Sequence, residues 1–211
     1  MTQSVQRSLR LQIGIFGRTN VGKSSFLNYI ASQEVAITSP VPGTTTDVVE
    51  KAMELLPVGP VVFLDTAGID ETSFLAPERL KKTEKIFERA DIAVLIVESD
   101  IWTAYEDRIV MRAQEKNIPC VVVINKIDLV QPSEQFLGHV QQKGLRYCLC
   151  SCTDQGRRDE CINVFKQCVL ENIPQDYLKP VSLLADLVPA GGMIVLRSEE
   201  HTSELQSHSF I

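Results

Sequence analysis

Gly17-Arg18-Thr19-Asn20-Val21-Gly22-Lys23-Ser24 is the stretch on which the reading of this chain turns. It fits the pattern GxxxxGK[ST], and it stands between an apolar run, Leu9 to Phe16, and a stretch of helical character from Gly22 to about Ala31. Strand, glycine loop and helix in that order make a cradle for phosphate. The glycines let successive backbone N–H groups face one way, and the helix directs its positive end to the same place. In such a cradle Lys23 reaches the β and γ phosphates, Ser24 ligates Mg2+, and Gly17, Asn20, Val21, Gly22 and Ser25 complete the lining.

Working outward, apolar runs alternate with helical segments. Val48 to Leu56 reads as a second strand, Pro57 to Pro60 as a turn and Val61 to Leu64 as a short third strand. Ile92 to Val97 and Cys120 to Ile124 are uninterrupted Val/Ile runs, preceded by helices over about Glu78 to Arg89 and Ala104 to Lys116. Runs of that kind are buried on both faces of a sheet. A helix near Glu134 to Lys143, a strand Arg146 to Cys150 and an amphipathic helix Arg158 to Glu171 complete the plan. The expectation is a three-layer α/β fold of the P-loop NTPase type: a six-stranded, mostly parallel sheet with helices on both faces. Ligands of such sheets bind beyond the carboxyl ends of the strands, where the remaining motifs fall.

Asp65-Thr66-Ala67-Gly68 follows the third strand directly. Its carboxylate is placed to hold Mg2+ through the water shell, and the Gly68 N–H to approach a γ-phosphate. Thr45, inside Pro42-Gly-Thr-Thr-Thr-Asp47, is the hydroxyl expected to join the Mg2+ shell, with Thr44 and Thr46 one position to either side. Asn125-Lys126-Ile127-Asp128 decides the base. A carboxylate at Asp128 accepts two hydrogen bonds from the N1 and N2 donors of guanine, a pair that adenine does not offer. Asn125 braces the loop, the aliphatic stem of Lys126 covers one face of the base, and Ser151-Cys152-Thr153 supplies donors toward the guanine oxygen. The ligand expected is GTP or GDP.

Composition narrows the classes. With 211 residues, 44% of them apolar, the chain suffices for one full α/β core and little more. A net charge of −6 argues against a surface that grips nucleic acid, so a nucleic-acid partner is not expected. The polar N-terminus carries no apolar signal segment and no run approaches the length of a membrane span, which points to a cytoplasmic protein with no membrane partner. The six cysteines are expected to be thiols. Cys148, Cys150 and Cys152 alternate along the last strand without a CxxC pair, and Cys161 and Cys168 share a helical face with Ile162, Phe165 and Val169, so all are read as packing groups rather than metal ligands.

With these elements in order, the chain resembles the Era and tRNA-modification branch of the GTPases, in strings such as GRTNVGKSS and PGTTTD. That resemblance implies GTP hydrolysis with Lys23, Thr45 and Gly68 as catalytic groups. It also implies a K+ ion, held by Asn20, standing near the phosphates in place of an arginine finger. Ile69 occupies the place of the water-orienting Gln of Ras-like enzymes, which implies slow intrinsic turnover. The water-positioning Glu of the tRNA-modification relatives has its nearest match in Glu78, which also suits the first turn of a helix after Pro77.

Within the branch, the run TSPVPGTTTDVVEKAMELLPVGPVVFLDTAGIDE from Thr38 to Glu71 and the segment Pro180 to Leu196 look most like HydF, the family of [FeFe]-hydrogenase maturation GTPases. Membership would imply a scaffold that dimerises, carries an iron–sulfur cluster on a C-terminal domain beyond this chain, and works with radical-SAM maturases and apo-hydrogenase. The alternative is an Era or tRNA-modification GTPase acting with RNA. The domain expectation is a GTPase domain over 1–175, the start of a dimerisation-like domain over 176–196, and a tail over 197–211 that resembles translated adapter oligonucleotide and is expected not to be native.

Overall fold

The computed structural model describes residues 10–31, 49–65 and 76–173, without the side chains of 76–80. Thr45, Gly68, Ile69, the side chain of Glu78, the segment 176–196 and the tail 197–211 lie outside the described residues.

The element order is β1 (Leu11–Phe16), α1 (Lys23–Ala31), β2 (Val49–Leu55), β3 (Gly59–Asp65), α2 (Ala76–Phe87), β4 (Ile92–Glu98), α3 (Ala104–Glu115), β5 (Cys120–Asn125), α4 (Glu134–Gln142), β6 (Arg146–Leu149) and α5 (Arg158–Asn172). The six strands run in the order β2-β3-β1-β4-β5-β6. Every neighbouring pair is parallel except β2 with β3, a hairpin that pairs Val49 with Asp65 and Leu55 with Gly59. The sheet expected from the sequence is therefore present. Two strand ends differ from the sequence reading. β3 starts at Gly59 because Gly59 and Pro60 pair with Leu55 and Glu54 across the hairpin, shortening the turn. β6 ends at Leu149, one residue early, since the chain turns toward the site after Cys150.

Burial explains the uninterrupted apolar runs. In β4, Ile92, Val94 and Ile96 face one core while Ala93, Leu95 and Val97 face the other. The first core is closed by α1 and α5, where Phe26 and Phe165 meet edge to face at 5.1 Å. Ile86 and Phe87 of α2, Val110 of α3 and Val140 of α4 close the second. A strand packed on both faces has no polar side, so the period-two alternation of a half-exposed strand disappears. The order of the strands then locates the site. β1 lies between β3 and β4, and consecutive connections leave it to opposite sides, which opens a crevice at its carboxyl end.

Candidate guanine-nucleotide site

The loop from Gly17 to Gly22 occupies that crevice, and its conformation is one that few residues tolerate. Gly17 has φ +151°, and a Cβ there would stand 2.5 Å from the Ile96 carbonyl oxygen of β4. Gly22 has φ +95°, and its Cβ would stand 2.3 Å from Asn125 Nδ2. Glycine at both places follows from left-handed backbone and from close approach. Asn20 also takes positive φ, 64°, which asparagine accepts better than most residues. The first α1 turn closes with Phe26 N–H donating to Gly22 O at 2.8 Å. Lys23 Nζ curls back over the loop, donating to Gly17 O at 3.1 Å and Arg18 O at 2.9 Å. Asp65 ends β3 beside Ile15 of β1 and is buried, 2% exposed. Ser24, in the first turn of α1, and Asp65, at the end of β3, together offer a hydroxyl and a carboxylate. Hard oxygen donors of this kind fit Mg2+.

The base-facing loops converge from β5 and β6. Asn125 ends β5 and is buried, and its Nδ2 donates to Val21 O at 2.8 Å, tying this loop to the phosphate loop. Its other amide atom, Oδ1, accepts the Cys152 thiol at 3.3 Å. Asp128 Oδ1 accepts the Ser151 hydroxyl at 2.7 Å and Oδ2 accepts Thr153 Oγ1 at 3.2 Å. The Ser151 hydrogen bond holds the Asp128 carboxyl below its ordinary pKa, so it stays ionised and aimed. Tyr29 OH donates to Asp154 O at 2.7 Å, anchoring the loop after β6 to α1. A cleft of about 520 Å³ opens at this end, with Tyr29, Asp128, Ser151 and Arg157 among its walls.

Of the residues singled out in the sequence, the structure brings the phosphate loop, Asp65, the Asn125–Asp128 loop and Ser151–Thr153 to one edge of the sheet. Several contacts were missed. Lys126 has φ 62° and pairs its ammonium with Glu98 at the end of β4, so its stem is held from behind by a charge. Arg18 pairs through Nε with Glu106 Oε1 at 2.7 Å, and Glu106 is completely buried. The other Glu106 oxygen accepts Thr103 N and Oγ1 at 2.7 and 2.6 Å, forming the capping box of α3. Next to it, Tyr105 OH lies 3.3 Å from both Gly17 N and Gly17 O. The capping pattern Thr103-x-x-Glu106 was visible in the sequence, but its second use, as the counter-charge of the phosphate loop, was not. The cysteines are all free thiols. Cys148, Cys150, Cys161 and Cys168 lie buried in the core under α1 and α5, as their spacing suggested.

A family profile described as "50S ribosome-binding GTPase" matches residues 12–126, more than half of the chain. The chain belongs to that GTPase family. The tRNA modification GTPase MnmE of Cyanothece sp. is 38% identical over 152 residues, which cover 71% of this chain and 32% of the relative. GTPase Der of Clostridium perfringens is 33% identical over 137 residues, covering 63% of this chain and 31% of the relative. An Era variant from Aquifex aeolicus, solved with GDP and aluminium fluoride, superposes with a TM-score of 0.58 at 26% identity, over 77% of this chain and 56% of that one. The GTPase domain spans about a third of the length of the curated relatives it matches. No helix among the described residues is long and apolar enough to cross a membrane.

Proposed function

We propose that the chain is the guanine-nucleotide switch of a larger protein, binding GTP and hydrolysing it to GDP and phosphate with Mg2+ and K+. The observation that carries this reading is Asp128. Its carboxylate is fixed by two hydroxyl donors on the Ser151–Thr153 turn, and the neighbouring Asn125 is bonded to the loop that cradles phosphate. Adenine would leave that carboxylate facing no donor pair, a penalty of several kcal/mol. Gly17 to Gly22 present backbone N–H groups to the β and γ phosphates, and Lys23 leaves the Gly17 and Arg18 carbonyls to reach them. Ser24 and Asp65 would hold Mg2+, joined by Thr45, while Asn20 would hold K+. The ions offset charge that builds on the transferred phosphoryl group. Gly68 N–H donates toward the γ-phosphate, and Glu78 is the candidate to orient the attacking water.

Turnover measured in matched potassium and sodium buffers tests the scheme. Potassium is expected to raise single-turnover GTP hydrolysis at least about tenfold. Equal rates in the two buffers would remove K+ from the mechanism, and Asn20→Ala is expected to abolish the difference.

The relatives favour one output for the switch: an Era or tRNA-modification type of GTPase acting with RNA. The net charge of this domain bears little on that, since an RNA-binding surface can belong to another domain of a longer chain. A specific sequence observation favours a second reading. Thr38 to Glu71 and Pro180 to Leu196 resemble the hydrogenase-maturation GTPases, in which the same switch would serve an iron–sulfur scaffold, its radical-SAM partners and apo-hydrogenase. Complementation by the complete gene separates the two. Restored tRNA modification in a strain lacking that GTPase supports the first, and restored [FeFe]-hydrogenase activity in a strain lacking its maturation GTPase supports the second.

A further inference from the structure

Cys150 and Cys152 flank Ser151 in the turn after β6, and their sulfurs stand 3.8 Å apart. Cys150 is fully buried, whereas Cys152 is partly open to solvent. The Cys152 thiol donates to Asn125 Oδ1 at 3.3 Å, and the same amide donates to Val21 O at 2.8 Å. Between the two thiols, Ser151 donates to Asp128 at 2.7 Å. One turn thus joins a thiol pair to the base-reading carboxylate and to the brace of the phosphate loop.

We propose that Cys152 is a thiol-oxidation site, and that a reversible Cys150–Cys152 disulfide switches guanine-nucleotide binding off. The proposal rests on the nucleotide reading given above. The two thiols divide the work. The Cys150 S–H donating to Cys152 favours the Cys152 thiolate and pushes Cys150 the other way, so the more open sulfur is the nucleophile and the buried one the resolving partner. With hydrogen peroxide as oxidant, the Cys152 thiolate attacks one peroxide oxygen. An S–O bond forms, the O–O bond breaks, and the departing hydroxide takes up the thiol proton as water. Cys150 then gives up its proton and attacks the sulfenic sulfur, and the S–O bond breaks with loss of a second water. Two thiols lose two electrons, and one peroxide becomes two waters.

Closing the gap from 3.8 Å to a bond of about 2.05 Å draws the Cys152 sulfur away from Asn125 and removes its only proton. Asn125 Oδ1 then loses a buried partner, and Ser151, caught inside the ring, is pulled from Asp128. Each loss corresponds to about five- to a hundredfold in affinity. A disulfide across a single intervening residue is strained, and strained disulfides are the readily reduced ones.

The test uses the full chain and a fluorescent GDP analogue, titrated before peroxide treatment, after it, and after a dithiol reductant. Affinity is expected to fall at least about tenfold on oxidation and to return on reduction. Mass spectrometry is expected to find the peptide holding Cys150 and Cys152 lighter by two hydrogens, and bound GDP to slow that change. Cys150→Ala and Cys150→Ser are expected to bind the analogue as the parent does before oxidation and to form no disulfide with Cys152. Unchanged affinity in protein whose Cys150–Cys152 bond is confirmed by mass would overturn the proposal. So would a disulfide to Cys161 in its place, or recovery on reduction in both Cys150 variants. Failure of the untreated chain to bind GDP would instead bring down the nucleotide reading, and this proposal with it.

Discussion

The base end and the phosphate end of the site are held by different chemistry. At the base end the fixing groups are neutral: Ser151 and Thr153 hydroxyls on Asp128, a thiol and a carbonyl on the two ends of the Asn125 amide. At the phosphate end they are ionic, with Arg18 against a fully buried Glu106 and the α3 cap behind it. The difference follows from what each end must offer. Asp128 has to keep lone pairs for a ligand, and two hydroxyl donors leave room on a carboxylate with about four acceptor positions. The phosphate loop has to present N–H groups and Lys23, so Arg18 beside it is matched by a carboxylate rather than left to compete for the phosphates.

If the two ends depend on each other, the largest effect belongs to the residue between them. Gly22→Ala forces a Cβ to 2.3 Å from Asn125 Nδ2 in a backbone with φ +95°. Titration with fluorescent GDP is expected to show affinity lower by more than about a hundredfold, because loop and brace cannot both keep their places. Parent-like binding would show that the ends act independently. Asp128→Asn breaks the base end alone. Guanine affinity is expected to fall about a hundredfold, and xanthine nucleotides to gain, since xanthine carries a carbonyl where guanine carries its N2 donors and the new amide can donate to it. A competition assay with both nucleotides reads this, and equal losses for the two would remove Asp128 from base recognition.

Most of this end-to-end layout was legible in the sequence, and the reason is local. A buried parallel strand leaves an unbroken apolar run, and the motif after each run sits at that strand's carboxyl end whatever its neighbours are. Ile92 to Val97 and Cys120 to Ile124 could therefore be placed without knowing the strand order. What was not legible depends on that order. Arg18 meets Glu106 from 88 positions away because β4, which leads into α3, lies directly beside β1. Lys126 meets Glu98 because β4 and β5 end side by side. The start of β3 was hidden for another reason: Gly59 and Pro60 are turn residues by composition, yet the edge hairpin with β2 accepts both.

Arg18→Ala breaks the phosphate end in turn. It leaves Glu106 buried without its counter-charge, although Thr103 still supplies donors through its backbone N–H and its hydroxyl. Those remaining bonds put the expected loss near the lower end for a severed buried pair, about 3 kcal/mol in urea unfolding. The double change Arg18→Ala with Glu106→Gln is expected to cost less than the sum of the single changes, because the stranded charge is then gone. Additive losses would mean that the pair is not the unit holding this end.

The smallest effect lies farther out on the same side, where Glu84 of α2 accepts Arg112 at 3.0 Å and Lys116 at 2.7 Å from α3. The Arg112 hydrogen bond first, and then Lys116, lower the Glu84 pKa from 4.5 to about 2. A carboxyl depressed in the folded state contributes stability above its unfolded pKa and loses it as pH falls through the folded one. The contribution is therefore complete above about pH 4.5 and gone below about pH 2. Glu84 is 36% exposed, so water and salt screen the pair, and Glu84→Gln is expected to cost at most about 1 kcal/mol at neutral pH. Nucleotide affinity is expected to stay at the parent value. Between pH 4.5 and 2 the two stability curves should converge, and curves that ran parallel through that window would show that the ion pairs outside the site contribute nothing to the contrast between its ends.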